Sequence, residues 1–368
     1  MDNLNNPASQ FDTAIHSLWF GLNYGSILTA FALYKTLEQA GRKPVLIQKP
    51  TGLWTDHYAD KNNISGLFIY KNARVLEIFD DHPSMENYKR INTHISGSDV
   101  IWNSELMHES IGFFMLEDVR NDSLKISIGS SFGGSMRQPA VNFNSYYKLL
   151  HRFDSVLAAD KANQNALREY FSIDSPTVLD PVFLCDKQAF VDPANESEAK
   201  RSERSDKFIF ASIEGGDARK KEFILQGNRV LLHNGGSPLR LMIDINRFPE
   251  SRNAIDLEPA AFIHVEDYLY YLINSEFVFA DNIYAMYLAV IFEKPFAALA
   301  NVDDPDLNRF KEFLSMIGLD ERLVILQDDF KTKEYLFRKP VNYKKVNMKL
   351  GQLRADSMTL LHKALDPR

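Results

Sequence analysis

Two glycines bracket an Asn-Tyr pair in "GLNYGS" (residues 21–26), between the apolar run "TAIHSLWF" (13–20) and an amphipathic helical pattern. Backbone N–H groups at such a helix start can hold an anion, helped by the macrodipole, and glycines let that anion approach closely. A plain strand-to-helix corner needing φ > 0 would use the same glycines. The turn lacks the third glycine of a dinucleotide fingerprint and the Gly-Lys-Ser/Thr of a P-loop, so neither nucleotide reading survives. Further along, "LLHNGGSPLR" (231–240) reads as a strand end carrying His233 and Asn234 ahead of a Gly-Gly turn. A histidine there is suited to acid–base work, and the glycines to a phosphate or sugar; a solvated loop histidine fits the same pattern. His264 ends "FIHVED", with a structural role the plainer reading. Arg219, Lys220 and Lys221 form a basic cluster in "EGGDARKKEF", a pattern most often simply solvated.

Tryptophans are the other candidates, because an indole stacks on the apolar face of a pyranose. Trp102, beside Asn103 at a strand end, suits that role best, with core packing as the alternative. Trp54, Asp56 and His57 share the polar loop "TGLWTDHYAD" (51–60), which fits an acceptor-side loop, whereas Trp19 lies inside an apolar strand and belongs to a core.

The elements that must position these residues alternate. Strand-length apolar runs fall at "KPVLIQKP" (44–50), "SDVIWN" (98–103), "LKISIGSSFG" (124–133), "SVLAAD" (155–160) and "PTVLDPVFL" (176–184). Helical patterns fall at 143–153 and 161–171. The segment 186–206 is polar and densely charged, and reads as a linker. Alternation then restarts with strands at 207–213, "RVLLHN" (229–234), "AAFIHV" (260–265), 277–281, 294–299 and 322–329. Helices are expected at 265–275, 283–293, 303–319 and 346–365. Strands alternating with helices imply parallel βαβ units with right-handed crossovers. The expected organisation is α/β: a Rossmann-like domain over 1–185, the linker, and a Rossmann-like domain over 207–368 closed by a C-terminal helix. Two such domains would face a cleft in a GT-B-like arrangement, with ligands outside the strand ends.

Composition narrows the function. Of 368 residues, 45% are hydrophobic and 25% charged, the balance of a soluble globular protein. A net charge of −7 argues against nucleic acid, where Lys and Arg must neutralise phosphates. The single cysteine, Cys185, excludes an internal disulfide and a cysteine-built zinc site. The polar start "MDNLNNPASQFD" does not read as a signal peptide, and no run approaches ~18 apolar residues, so a cytoplasmic protein is expected.

Six segments, in order, resemble the polysaccharide pyruvyl transferase family. "FGLNYGSILTAFALYKTLEQAGRKPVLIQKP" is similar to the family's first strand, Asn-Tyr-Gly turn and helix. "SDVIWNSEL", "KISIGSSFGG" and "REYFSIDSPTVLDPVFL" resemble its "GSDxxWN", "ASFG" and "LDPxxLL" segments. "EDYLYYLINSEFVFADNIYAMYLAVIFEKPFAAL" and "RFKEFLSMIGLDERLV" resemble its later regions, so the likeness spans about residues 14–330. The resemblance implies transfer of the enolpyruvyl unit of phosphoenolpyruvate onto two hydroxyls of a sugar. No metal or other cofactor is implied. The acceptor would be a capsule or exopolysaccharide sugar, or a lipid-linked precursor that brings the protein to the inner face of the membrane. Cations must hold phosphate and carboxylate, and a general acid must protonate the enol carbon or leaving group.

On that resemblance Asn23, Tyr24 and Gly25 form a functional turn, and Arg309 is a basic residue facing the donor. Two segments depart from it. "ADNIYAM" puts Tyr284 where the family carries histidine and Asn282 where some members carry arginine. "LAADK" puts Ala159 in an arginine's place, with Lys161 nearby. Tyrosine titrates near ~10, so Tyr284 is a weaker acid–base group than a histidine near ~6.5. Three readings stay open: a pyruvyl transferase with cations from elsewhere, a GT-B glycosyltransferase using a nucleotide sugar, and a non-catalytic saccharide-binding relative.

Overall fold

The computed structural model describes residues 10–19, 23–49, 64–79, 82–133, 143–201, 208–213, 217–233, 239–243 and 264–367. The chain divides into two compact units. One holds residues up to 21, 26–186 and 352–368; the other holds 187–351 together with 22–25.

The first unit runs β1 (Thr13–His16), α1 (Tyr24–Gln39), β2 (Pro44–Gln48), α2 (Ile64–Asn72), β3 (Val75–Glu77), α3 (Pro83–Lys89) and β4 (Thr93–Asp99). It continues with α4 (Ser104–Met107), α5 (Ile111–Phe114), β5 (Leu124–Ser130), α6 (Phe143–Leu150), β6 (Ser155–Ala158) and α7 (Lys161–Phe171). Its six strands lie in the order β3-β2-β1-β4-β5-β6, every pair parallel. That is a doubly wound sheet whose order reverses between β1 and β4. Local chemistry sets the helix ends. Asp160 caps α7 by accepting from the Asn163 N–H at 2.8 Å, and Ser172 ends the same helix in the left-handed region.

The second unit opens with α8 (Gln188–Asn195) and α9 (Glu198–Arg201), then β7 (Ile209–Ile213), α10 (Ala218–His233) and β8 (Leu239–Ile243). It goes on through α11 (Val265–Asn274), β9 (Phe277–Ala280), α12 (Ile283–Ile291), β10 (Phe296–Ala300), α13 (Leu307–Ile317) and β11 (Leu323–Ile325). The short α14 (Phe330–Lys333) and the long α15 (Tyr343–Leu365) complete the chain. The strand order β11-β10-β9-β7-β8, again all parallel, reverses between β7 and β9. Among the described residues, no helix is long and apolar enough to cross a membrane.

Several expected elements shift. Only the first two residues of "SDVIWN" are strand: β4 ends at Asp99, whose φ of 70° turns the chain, and Ile101 and Trp102 are buried beyond the turn. "PTVLDPVFL" supplies one bridge, Ala158 to Thr177, and then a 3-10 turn. "RVLLHN" is the end of α10, whose buried Lys220, Phe223, Ile224 and Gly227 keep helical phase with Val230 and Leu231. The charged 186–206 segment folds α8 onto the second unit, burying Phe190 completely and bonding Ser197 to Asp267. The end of α15 returns to the first unit, where Ser357 accepts from the Leu179 N–H at 3.0 Å. Most of "AAFIHV" lies outside the described residues.

The first core contains a histidine pair. His16 Nε2 lies 3.3 Å from His94 Nδ1, and His94 Nε2 lies 3.0 Å from the Ile91 carbonyl. Burial, with repulsion from His94, pushes the His16 pKa well below its ordinary value. Burial lowers that of His94 from 6.5 to about 4. Both rings are therefore neutral when folded, and the unfolded chain takes up protons first as pH falls. Their contribution is intact above pH 6.5 and is lost progressively toward pH 4. Urea unfolding should show stability falling on the order of 1 kcal/mol per pH unit across that window for His94 alone. His94→Gln should flatten the slope; an unchanged slope would remove the histidine from the acid response.

Candidate functional site

The second unit gathers polar side chains where its strand order reverses. Ser212 stands near the end of β7, Asp281 follows β9, and α10 and α12 start there. Asn282 caps α12: its Oδ1 accepts from the Ala285 N–H at 2.8 Å, while its Nδ2 donates to Ser212 Oγ at 3.1 Å. Ser212 Oγ in turn lies 3.1 Å from Tyr268 Oη, on α11. Lys220, in the first turn of α10, donates from Nζ to Asp281 Oδ2 at 2.6 Å. The Asp281 side chain is fully buried and that of Lys220 is 10% exposed, so water has little access to the pair.

Beyond β10, Asn301 Nδ2 donates to Asp217 Oδ2 at 2.9 Å, and the Arg219 N–H donates to Asp217 Oδ1 at 2.8 Å. Burial pushes the Asp217 carboxyl up, but the bonds from Asn301 and Arg219 prevail and hold it below its ordinary value. Asp304 goes the other way: burial raises its pKa, against the opposing field of the Lys220 cation. The cluster thus holds the buried Lys220–Asp281 pair, one further carboxylate favoured as the anion, and one carboxyl that retains its proton more readily.

The Asn-Tyr-Gly turn groups with this unit. Asn23 Oδ1 accepts from the Gly25 N–H at 2.9 Å, an Asx turn. The Tyr24 ring lies flat on Tyr268, with centroids 4.5 Å apart and planes 8° apart. A Cβ on Gly25 would sit 2.0 Å from Tyr284 Cδ2, which accounts for the glycine. The close protein neighbour of its backbone is the Tyr284 ring. Tyr284 is the second residue of α12, 7% exposed and edge-on to Tyr287 at 6.0 Å.

The structure therefore brings Asn23, Tyr24, Gly25, Asn282 and Tyr284 together, and adds four residues the sequence reading passed over or did not single out. Ser212, Tyr268 and Asp281 carried no motif, although Asp281 directly precedes a helix start. Lys220 was hidden in a basic run read as solvated; its helical phase with buried Phe223, Ile224 and Gly227 was the available signal.

The remaining candidates disperse. Trp102 is fully buried and packs on Phe132 and Phe153, with Nε1 donating to Ser96 Oγ at 3.2 Å, so it offers no face to a sugar. Asn103 spends its carbonyl oxygen capping α4, accepting from Glu105 and Leu106 at 3.0 and 3.2 Å. His233 is not at a strand end. It is the exposed last residue of α10, roughly 20 Å along the helix from Lys220 at the usual rise. His264 makes no side-chain cap to α11, and Arg309 pairs with Asp306 at 3.2 Å. Asn234, Trp54, Asp56 and His57 lie outside the described residues. Among those described, no group of three or more His, Cys, Asp or Glu is placed to hold a metal ion.

The first unit has its own polar switch point. Ser98 and Asp99 close β4 at φ 22° and 70°, strained for residues with a Cβ. Ser26 donates its hydroxyl to Asp99, and Thr29 donates to Asp180 Oδ1 at 2.7 Å. The Ser17 hydroxyl, at the end of β1, is buried with no hydrogen-bond partner among the described residues.

Two doubly wound parallel sheets, each with polar side chains at its order reversal, define a protein of two Rossmann-like domains in the GT-B-like class. Among solved structures the chain is similar to UDP-GlcNAc 2-epimerase from Neisseria meningitidis bound to UDP-GlcNAc, at TM-score 0.55 and 9% identity over 96% of this chain and 98% of that one. It is similar to UDP-GlcNAc 2-epimerase from Methanocaldococcus jannaschii at TM-score 0.55 and 12% identity, covering 96% and 99%. At such identities the likeness shows the fold alone. Comparison with curated protein sequences found no match. The family profile for polysaccharide pyruvyl transferase matches residues 23–304, and the chain belongs to that transferase family.

Packing of Tyr284 against Gly25 is testable. Gly25→Ala should destabilise on the order of 1–3 kcal/mol by overpacking, and adding Tyr284→Ala should recover much of that loss. Denaturant unfolding of the four proteins in the cycle checks it; strictly additive losses would mean that ring and turn do not touch.

Proposed function

We propose that this protein transfers the enolpyruvyl unit of phosphoenolpyruvate to two hydroxyls of a saccharide, in a surface polysaccharide or its lipid-linked precursor. Lys220 carries the reading: a cation fixed by a buried carboxylate, at the order reversal of a doubly wound sheet, in a chain of this family. In the reaction both acceptor oxygens bond to the donor's C2, and the bond from C2 to the phosphate oxygen breaks. Of the two hydroxyl protons, one is matched by the proton that turns the methylene into a methyl, and the other leaves with phosphate.

In this reading Lys220 takes the donor's carboxylate or phosphate, with the amino end of α12 beside Asp281 adding its dipole. Arg309 is a second candidate cation. Asp304, whose pKa burial raises, is the carboxyl of the cluster best suited to deliver a proton to the enol carbon. Asn23, Tyr24 and Asn282 shape the surrounding wall, and Tyr284 serves it by packing and by its hydroxyl rather than as a replacement base.

A second reading, glycosyl transfer from a nucleotide sugar, draws on a fold shared with an epimerase bound to UDP-GlcNAc. Thermal melts with phosphoenolpyruvate and with UDP-GlcNAc separate the two. A ligand at ~100 times its Kd stabilises by ~2.7 kcal/mol. Stabilisation by phosphoenolpyruvate, lost in Lys220→Gln and retained in His233→Ala, is the expected result. Stabilisation by UDP-GlcNAc alone would transfer the site to the second reading, and a response to neither would favour a non-catalytic saccharide binder.

A further inference from the structure

Helix α6 carries an aromatic ladder that its core contacts do not require. Tyr146, Leu149 and Leu150 already form its buried face. Phe143 and Tyr147 lie on another face, 37% and 41% exposed, and His151 follows one turn on, also exposed. The Phe143 and Tyr147 rings are 5.8 Å apart, and Tyr147 stacks on His151 at 4.0 Å. Phe143 also stacks on Phe171 at 5.6 Å, next to Tyr170, which is 42% exposed. Pairs at i, i+4 add only about 0.2–0.5 kcal/mol each to a helix. That small gain does not explain a row of solvent-facing rings.

The ladder ends at a cavity. His151 lines a space of about 490 Å³ with Asp154, Ile173, Asp174, Leu360 and Lys363. The space lies beside Ser155, the first residue of the edge strand β6, and so at the amino end of the sheet. The polar switch point of this unit is at the opposite, carboxyl end of the strands. Two independent features thus meet away from that point: ordered aromatic rings, and a cavity with apolar walls and two carboxylates.

We propose that the ladder and cavity form an ancillary saccharide site that anchors the acceptor chain away from its reacting end. Aromatic rings accept the C–H face of a pyranose, and carboxylates accept hydrogen bonds from its hydroxyls. Because the rings already hold one another, little side-chain freedom is lost on binding. Carboxylates outnumber lysine here, the reverse of what an anionic membrane surface selects. A second foothold on a polymer raises the effective concentration of its reacting sugar. The inference rests on the saccharide acceptor of the family and not on the identity of the donor.

The test is saturation-transfer NMR on the full chain with cellobiose, maltose, lactose and N,N′-diacetylchitobiose as probes. At least one disaccharide should bind saturably in the millimolar range. Tyr147→Ala and Asp174→Asn, both at exposed positions, should each weaken it about tenfold without moving the melting temperature. Lys220→Gln should bind the disaccharide like the parent. No saturable binding of any probe, or binding indifferent to both exposed substitutions, overturns the site, as does binding only to anionic phosphatidylserine vesicles. A protein that takes the disaccharide but ignores phosphoenolpyruvate loses the donor proposed above and keeps this site.

Discussion

A lysine ammonium 2.6 Å from a carboxylate with no exposed surface is an arrangement the protein must build, because attraction alone does not sustain it. Desolvation costs several kcal/mol per ion and can exceed the Coulombic gain, so such a pair persists only where the surrounding elements hold both partners in place. Here β9 delivers Asp281 and the first turn of α10 delivers Lys220, each from an element whose apolar residues are deep in one core. Deleting one partner would strand the other, which ties the order of the switch point to the integrity of the sheet. The cation is thus a product of the winding: parallel strands deliver their carboxyl ends, and the helices their amino ends, to one side.

Around that pair, Gly25, Tyr284, Tyr24 and Asn282 form a consistent local set. The Tyr284 ring fills the room left by the missing side chain of Gly25. The stack of Tyr24 on Tyr268 and the bond from Tyr268 to Ser212 link the turn to the Asn282 cap of α12. Turn, ring and helix cap therefore constrain one another, and the turn's glycine answers first to packing. Its sequence signature is the same as that of an anion-binding turn, since both need a backbone without Cβ.

Much of the architecture was legible in the pattern, for definite reasons. Helix α7 was legible to its ends because Asp160 caps it and its apolar residues keep one phase. The strands β2, β5 and β9 are short apolar runs between breakers. Where apolar residues continue past a turn, as in "SDVIWN", or where a helix ends in consecutive apolar residues, as in "RVLLHN", a short window cannot tell strand from helix. Misplacing the second of these moved His233 to the wrong end of a helix. Trp102 was ambiguous for another reason: a large aromatic beside a strand end is as well suited to a core as to a sugar, and its complete burial fits the core. Lys220 and Asp281 lie 61 positions apart, so no local spacing announces their pairing.

The two switch points differ in chemistry in a way that bears on the proposed reaction. That of the second unit holds a largely buried cation paired with a carboxylate, and a cation is the complement of the proposed donor's phosphate and carboxylate. That of the first unit offers Asp99 and Asp180 with the hydroxyls of Ser17, Ser26 and Thr29, groups that exchange hydrogen bonds with a polyol and would repel an anion. The backbone strain at Ser98 and Asp99 falls on this side, where it fixes the direction of the carboxylate that Ser26 holds. Each sheet thus carries its own polar set at its own order reversal, built from its own strands and helices.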